Sequence, residues 1–174
     1  MIKIDKKPDM LTRIEDKMIL TLKEQTGDIF NLIEPFDESA ENYEFLSGHD
    51  AAVFTIFGGS TYSPNDDAPT SAYAPRRTIR WQIYILVRSL RNAREGSISS
   101  NKAIEAVRLA LQGQSLVGAT PLLPISEKLD ARIDNGWRWL IEFNHHIPAM
   151  ADLRFGIAQQ PAFNEPAFGP ANDA

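Results

Sequence analysis

The stretch RRTIRWQIYILVRSLRNAR, residues 76–94, constrains the fold more than any other part of the chain. Apolar and polar residues alternate along its first half, which is the pattern of a β-strand with one buried face. The residues of one parity are expected to face the core: Ile79, Trp81, Ile83, Ile85 and Val87. The other face carries Arg80, Gln82, Tyr84 and Arg88, interrupted by Leu86. A strand of this length needs a sheet with a core on one side.

The charge of this strand is unusual for the chain that contains it. The stretch holds six basic residues and no acidic one, which leaves 12 of the 18 basic residues against 23 acidic ones elsewhere; the net charge is −5. Such a charge disfavours general nucleic-acid binding, whereas a basic strand on an acidic molecule suits head-to-tail contact between copies, or contact with an acidic partner. The sequence leaves open a second interpretation, in which the arginines pair with nearby carboxylates on a solvated face.

Length and composition exclude several classes of protein. A chain of 174 residues suits one domain that can bury a full core. Because there is no cysteine, disulfides, thiolate chemistry and cysteine-ligated metal sites are excluded. No apolar run is long enough to span a membrane, and the N-terminal MIKIDKKPDM has no apolar stretch of signal length. We therefore expect no membrane partner and a protein that works where it is synthesised.

Periodicity and turn residues predict the other elements. Asp9 is placed to cap a helix over residues 10–25, and a second helix is predicted from Ser99 or Ser100 to residue 112. The run AAVFTIF predicts a buried strand over 51–57, and a short strand can form over 29–33. The segment 60–75 has the composition of an exposed loop, and the turn at 134–136 predicts a hairpin of strands 126–133 and 137–147.

This order of elements predicts an α+β fold in which a mostly antiparallel sheet packs against two main helices. A single domain is expected over residues 1–147. Residues 148–174 contain prolines and phenylalanines without a sustained period; we expect an extension that is extended or bound to a partner, and the sequence leaves open that part of it is disordered.

The sequence contains no recognisable catalytic or metal-binding motif. His145 and His146 are neighbours on a predicted strand, so they point to opposite faces and cannot easily share a metal. The segment Gly58-Gly59-Ser60 lacks the lysine of a P-loop and the flanking residues of a hydrolase nucleophile. We predict a protein that is not an enzyme, with no catalytic, cofactor-binding or metal-binding residues and no cofactor.

Four segments together resemble the Mu-like phage tail-terminator family: AAVFTIFGGSTY, RRTIRWQIYILVRSLRNAREG, VRLALQGQ and PLLP, followed by a late hairpin. The resemblance covers residues 10–147 and extends in fold to lambda-like tail terminators and to cap proteins of contractile injection particles. It implies a structural protein that forms a homo-hexameric ring on the last ring of the tail tube. Such a ring stops polymerisation of the tube and offers a docking surface to the head–tail connector.

The resemblance also implies where the protein is found and what it meets. It implies a component of the virion tail, or of an injection particle, that is assembled in the host bacterial cytoplasm. Its partners would be other copies of the chain, the tail tube protein and, in a contractile particle, the sheath protein. DNA would pass through the lumen of the ring without specific binding.

The residues predicted to contact other subunits or the tube come from the basic strand, the 60–75 segment and the extension. They are Arg76, Arg77, Arg80, Tyr84, Arg88, Arg91, Tyr62, Asp66, Asp67, Phe155 and Phe163. Among them, Arg80 and Arg88 are expected to lie between neighbouring subunits of a ring, because tight phosphate contacts in the lumen would slow the passage of DNA.

Three other functions remain open at the level of sequence. The protein could be a tail-completion or neck protein elsewhere in the particle, since such proteins use similar small α+β domains. It could be a small enzyme or ligand-binding domain with a pocket near Gly58, Gly59 and Trp81, against which stands the lack of any convergent nucleophile, base or metal set. A nucleic-acid-binding module that uses the basic strand would bind DNA in a salt-sensitive manner.

Overall fold

A computed structural model of the chain describes residues 9–36, 50–63, 76–88, 93–133 and 136–148. Two helices and five strands follow one another along these ranges. In chain order they are α1 (Met10–Thr26), β1 (Leu32–Pro35), β2 (Ala51–Ser63), β3 (Arg76–Arg88), α2 (Ala93–Leu111), β4 (Leu123–Ile133) and β5 (Gly136–Pro148). The predicted helix–strand order is confirmed for these elements.

The five strands form one mixed sheet in the order β1-β2-β3-β5-β4. The short β1 pairs with β2 in parallel, and the other three strand pairs are antiparallel. Strand β3 lies at the centre and is paired along its whole length with β5, from Arg76 opposite Pro148 to Arg88 opposite Gly136. The predicted α+β class and the mostly antiparallel sheet are therefore confirmed.

Helix α1 forms where the sequence places it. The carboxylate of Asp9 accepts a hydrogen bond from the backbone N–H of Thr12, at 3.0 Å, and so satisfies a donor that the first turn leaves free. Ile14, Met18 and Leu22 recur at a spacing of four residues and are fully buried. Their common face packs the helix against the sheet.

Helix α2 begins earlier than predicted, at Ala93 rather than Ser99 or Ser100. The segment NAREGS contains asparagine and glycine, which disfavour helices, but a glycine inside a helix costs only about 1 kcal/mol relative to alanine. The helix ends at Leu111, and Gly113 follows with φ +79°, the left-handed conformation in which glycine commonly stops a helix. The helix buries one apolar face, which consists of Ala103, Ile104, Val107, Ala110 and Leu111.

Both helices cover the same face of the sheet and build the main core with it. The predicted core parity of β3 is confirmed, because Ile79, Trp81, Ile83 and Ile85 are 0% exposed and Val87 is 3% exposed. These side chains pack with the helices in one cluster. The even-numbered residues of β3 therefore lie on the face of the sheet that α1 and α2 do not cover.

A second, smaller apolar cluster lies on that opposite face. Ala52, Phe54 and Leu86 are buried there and pack with Leu32, Phe36, Tyr84 and Ile133. The ring of Phe36 stands edge-on to Phe54, with centroids 6.2 Å apart. Strand β2 is consequently buried on both faces from Ala51 to Thr55, which explains its unbroken apolar run.

Three strand boundaries differ from the prediction. Strand β1 covers Leu32–Pro35 rather than 29–33, and β4 begins at Leu123 rather than at residue 126. Strand β2 runs on to Ser63, so residues 60–63 are not part of a loop. The polar composition of these four residues is typical of a loop, but their backbone pairs with Arg76–Ile79 of β3, and this pairing decides the conformation.

The glycine pair of β2 does not end the strand, as a turn would. The register passes from Phe57 opposite Trp81 to Ser60 opposite Ile79, so Gly58 and Gly59 together face Arg80. This is a β-bulge, and Gly59 adopts φ +107°, a conformation open to glycine and strained for other residues. The predicted loop beyond residue 63 and the predicted extension beyond residue 148 lie outside the described residues. Within those residues no helix is long and apolar enough to cross a membrane.

Candidate functional site

The face of the sheet opposite the helices is the candidate functional site, and we call it the polar face. It is built where the even-numbered residues of β3 and β5 lie side by side, bordered by β4 and by the bulge of β2. Its polar members are Thr61, Thr78, Arg80, Gln82, Tyr84, Arg88, Ser126, Lys128, Arg138, Glu142, Asn144 and His146.

Glu142 lies at the centre of the polar face and joins three strands. Its carboxylate accepts hydrogen bonds from Gln82 Nε2, at 3.2 Å, and from Ser126 Oγ, at 2.7 Å. Arg80 Nη1 lies 3.8 Å from Glu142 Oε1, but the side chain of Arg80 remains 52% exposed while that of Glu142 is only 16% exposed. The hydrogen bonds from Ser126 and then Gln82 lower the pKa of Glu142 below its ordinary value. The carboxylate is therefore held ionised as a fixed point of the sheet.

Tyr84 and Arg138 form a second polar group next to the small apolar cluster. Arg138 Nε donates to Asp130 Oδ2 at 2.6 Å, and its guanidinium lies 5.5 Å from the centre of the Tyr84 ring. The other side of Tyr84 contacts Phe36, with ring centroids 5.2 Å apart. Burial, followed by the nearby charge of Asp130, raises the pKa of the Tyr84 phenol. Tyr84 is thus partly buried in intrachain contacts.

The end of β2 and the paired start of β3 carry three of the predicted contact residues. Arg77 Nε donates to Ser60 Oγ at 3.1 Å, and its guanidinium lies 5.8 Å from the centre of the Tyr62 ring. Tyr62 is 60% exposed. Among the residues that the structure describes, Arg77 forms no ion pair, so its positive charge is not neutralised by a neighbouring carboxylate there. Arg76, beside it, begins strand β3 and is exposed.

Arg88 lies far from this group, at the opposite end of β3. Its Nη1 is 3.9 Å from Asp50 Oδ1, and both side chains are partly exposed. Arg76 and Arg88 are the two ends of a 13-residue strand, a distance of about 40 Å. The predicted basic strand is therefore not one continuous basic patch. Arg76, Arg77 and Arg80 share one end with Tyr62, whereas Tyr84 lies in the middle and Arg88 at the other end.

A polar cleft of about 260 Å³ opens beside the bulge of β2. We call it the bulge cleft, and it is lined by Gly58, Gly59, Ser60, Thr61, Thr78, Arg80 and Asn144. Arg80 is the one charged residue of the lining, and three of the others carry hydroxyl groups. The cleft is thus rich in hydrogen-bond donors and positive in charge.

The two adjacent histidines have different environments, as predicted from their neighbouring positions. His145 is fully buried on the core side, and burial, followed by the charge of His146, lowers its pKa from 6.5 to about 4. His146 lies on the polar face, where its Nδ1 is 2.9 Å from the hydroxyl of Thr78. Within the described ranges, no three histidine, cysteine or acidic side chains are grouped so as to hold a metal ion.

Sequence comparison places the chain in a family. Residues 18–164 match the family described as "Gp37 protein". The chain belongs to the Gp37 protein family, which is phage-associated. This supports the phage-related part of the resemblance seen in the sequence, at a coarser level than the Mu-like tail-terminator family. A search among curated proteins gave no significant match.

The fold of this Gp37 protein also occurs in a solved particle. One similar chain is found in the virion of a native gene transfer agent (GTA) particle, with a TM-score of 0.50 and 14% sequence identity. The alignment covers 82% of the Gp37 chain and 99% of the GTA chain. At this level of identity the similarity establishes a shared fold.

Five of the predicted contact residues lie outside the described residues: Arg91, Asp66, Asp67, Phe155 and Phe163. The six others are placed as described above. Sequence reasoning did not identify Glu142, Ser126 or Asn144 as members of the site. The available signal was the pairing of the two central strands, since Glu142 lies directly opposite Gln82 in that register.

Proposed function

We propose that this Gp37 protein is a structural protein of a phage tail or a related particle, which forms a ring that caps the tail tube. The ring would stop polymerisation of the tube and offer a docking surface to the head connector. The observation that carries the proposal is the fold, shared with a GTA virion chain over 99% of that chain's length. Membership of a phage-associated family supports the same assignment from the sequence.

The polar face has the properties that a contact between subunits needs. It presents hydrogen-bonding groups fixed by a rigid sheet, such as Glu142 with its two donors, rather than a deep cavity around reactive groups. Head-to-tail contacts of identical subunits close into a ring when the rotation between neighbours suits. The proposed mechanism is geometrical: one face of the ring matches the tube, and the other offers no site for a further tube ring.

Arg80 and Arg88 are the proposed inter-subunit residues of this surface. Among the described residues each has one carboxylate nearby, at 3.8 Å and 3.9 Å respectively, and both arginine side chains are more than a third exposed. Exposed pairs of this length contribute little to the stability of the monomer, typically under about 1 kcal/mol. Both arginines can therefore exchange these partners for carboxylates of a neighbouring subunit at small cost.

The remaining partners follow from the proposed position in the particle. They are the tail tube protein, the head–tail connector and, in a contractile particle, the sheath protein, all brought together in the bacterial cytoplasm during assembly. DNA would pass through the lumen without specific binding, which agrees with a net charge of −5 and with the separation of the arginines along β3.

The proposal is tested by assembling the neighbouring tube protein with and without this protein, and measuring tube lengths by negative-stain electron microscopy. Tubes that stop early, with density at one end, support the cap. Tubes of unchanged length with bare ends refute it.

A charge-reversed variant makes the test residue-specific. The double variant Arg80→Glu/Arg88→Glu should fail to form rings or shorten tubes. The matched control is Lys17→Glu/Lys102→Glu, which makes the same charge change at exposed positions of the two helices and should behave like the wild type. An intact ring from the arginine variant would exclude the inter-subunit role of these residues.

Two alternative functions are supported by different observations. A tail-completion or neck protein would share the fold and family observations, but it would leave tube length unchanged and be found elsewhere in the particle. A ligand-binding domain is favoured by the bulge cleft, which lies at Gly58 and Gly59 as predicted. Trp81, however, does not line the cleft, because its side chain is fully buried in the main core.

A further inference from the structure

The bulge cleft has a lining that neither the fold nor the cap mechanism requires. We propose that it is a binding site for a carboxylate side chain of a partner protein. The identification of that partner as a particle component rests on the proposed function, whereas the chemistry of the cleft does not.

Arg80 is the principal donor of the proposed site. Its carboxylate neighbour Glu142 already accepts hydrogen bonds from Gln82 and Ser126, and the guanidinium approaches it only to 3.8 Å. Half of the Arg80 side chain remains exposed, so most of its five N–H donors are available. A planar carboxylate is the group that such a guanidinium binds best, through two parallel hydrogen bonds.

The hydroxyl of Thr61 lies on the same face of the sheet as Arg80, because Thr61 pairs with Thr78, which has the parity of Arg80. A threonine hydroxyl can donate one hydrogen bond. Since Thr61 and Arg80 both line the cleft, a carboxylate in it can accept from a guanidinium and a hydroxyl at once.

The two glycines keep the cleft open. A Cβ atom at residue 58 would lie 3.0 Å from Gln82 Cγ and 3.4 Å from Arg80 Cδ, so any larger residue would press on the two side chains that shape the site. Gly59 holds the bulge through its φ of +107°. The bulge thereby creates a local opening between β2 and Arg80 that a regular strand pair would not contain.

Asn144 indicates that the ligand is part of a protein rather than a simple anion. Its Oδ1 is buried and, within the described part of the chain, has no hydrogen-bond donor. An unpaired buried acceptor is unfavourable and calls for a donor. An acidic peptide segment brings both groups, a carboxylate for Arg80 and a backbone N–H for Asn144. Inorganic anions lack the N–H, and a nucleic acid would meet a protein of net charge −5.

The experiment is an NMR titration of the ¹⁵N-labelled full chain with a short acetylated and amidated peptide of alternating glycine and glutamate. We expect the amide signals of Gly58, Gly59, Thr78 and Asn144 to shift together on binding. The same peptide with glutamine in place of glutamate, sodium sulfate and a short oligothymidylate are the comparison probes. Binding should weaken at least about tenfold in Arg80→Gln, the size expected for one charged hydrogen-bonding group.

Control variants distinguish binding in the cleft from general electrostatic attraction and from loss of the folded structure. Arg13→Gln removes the same charge at an exposed position of α1, outside the cleft, and should bind the peptide as the wild type does. Gly58→Ala should weaken binding of the peptide because the added Cβ displaces Arg80. Thermal unfolding is recorded for every variant, to show that it is folded.

Four results would overturn the proposal: no shifts with the glutamate peptide, equal binding of the glutamine peptide, tighter binding of the oligonucleotide, or equal shifts with sulfate alone. None of these depends on the tube-length assay. If the protein binds the peptide but does not cap tubes, the binding site in the cleft is supported and the proposed function is refuted.

Discussion

The buried imidazole of His145 makes the fold sensitive to acid. His145 is fully buried, and neither of its ring nitrogens has a hydrogen-bond partner among the described residues. Burial lowers its pKa from 6.5 to about 4. Because the folded-state pKa lies below the unfolded one, protonation favours the unfolded chain. The stabilising contribution of neutral His145 is complete above pH 6.5 and is lost as the pH falls towards 4.

The size of the effect follows from the two pKa values. One pKa unit corresponds to about 1.4 kcal/mol, so the loss at pH 4 is about 3 kcal/mol of unfolding free energy. This is a large fraction of the 5–15 kcal/mol that is typical of a domain. His145→Leu replaces the imidazole by an apolar side chain of similar size and removes the titration.

The assay is urea unfolding followed by tryptophan fluorescence, at pH 7.5 and at pH 4.0. The second pH is on the acid side of the isoelectric point near 5.2. From pH 7.5 to pH 4.0, the unfolding free energy of the wild type should fall by about 3 kcal/mol more than that of His145→Leu. Ile147→Val, a substitution at a buried residue on the same strand and face, is the control. Its unfolding free energy should lie below that of the wild type by a similar amount at both pH values. Equal losses in the wild type and His145→Leu would refute the reasoning.

Three further substitutions test the elements that position the polar face, each by urea unfolding at neutral pH. Asp9→Ala removes the acceptor of the Thr12 N–H and should cost about 1 kcal/mol; no loss would mean that the cap contributes nothing. Gly59→Ala meets no atom within 4 Å, yet it should cost about 1–3 kcal/mol because of the φ of +107°, and an unchanged stability would contradict the bulge geometry. Ile83→Ala, at the centre of β3, should cost about 2–5 kcal/mol, and a loss below 1 kcal/mol would contradict its burial.

The parts of the fold that were predicted correctly depend on local patterns. The two-residue period of β3 determines which of its side chains are buried. Asp9 marks the start of α1 through a hydrogen bond to Thr12, three residues further along the chain. Patterns of this kind can be read without knowing what the element packs against.

The parts that were missed depend on pairing between distant segments. Residues 60–63 look like a loop by composition but form strand because β3 pairs with them. Helix α2 was predicted to begin at Ser99 or Ser100, but it begins at Ala93, since the residues of NAREGS that disfavour helices cost only about 1 kcal/mol each. Local propensity is a weak predictor wherever tertiary contacts favour the other state.

The candidate site shows the same division. The sequence identified the arginines of β3, but it could not show that they occupy two ends of a strand about 40 Å long. Nor could it show that Glu142 would meet Gln82 and Ser126, since these residues come from three strands. The interpretation in which arginines pair with nearby carboxylates is supported for Arg80 and Arg88, although at distances that leave both groups exposed.

The central claim, a ring at the end of a tail tube, is tested most directly by electron cryo-microscopy of tubes assembled in the presence of this protein. The account predicts a single ring of six copies at one end of each tube, with the polar faces directed towards neighbouring copies. Density for the protein along the side of the tube, or tube ends that carry none of it, would contradict the claim.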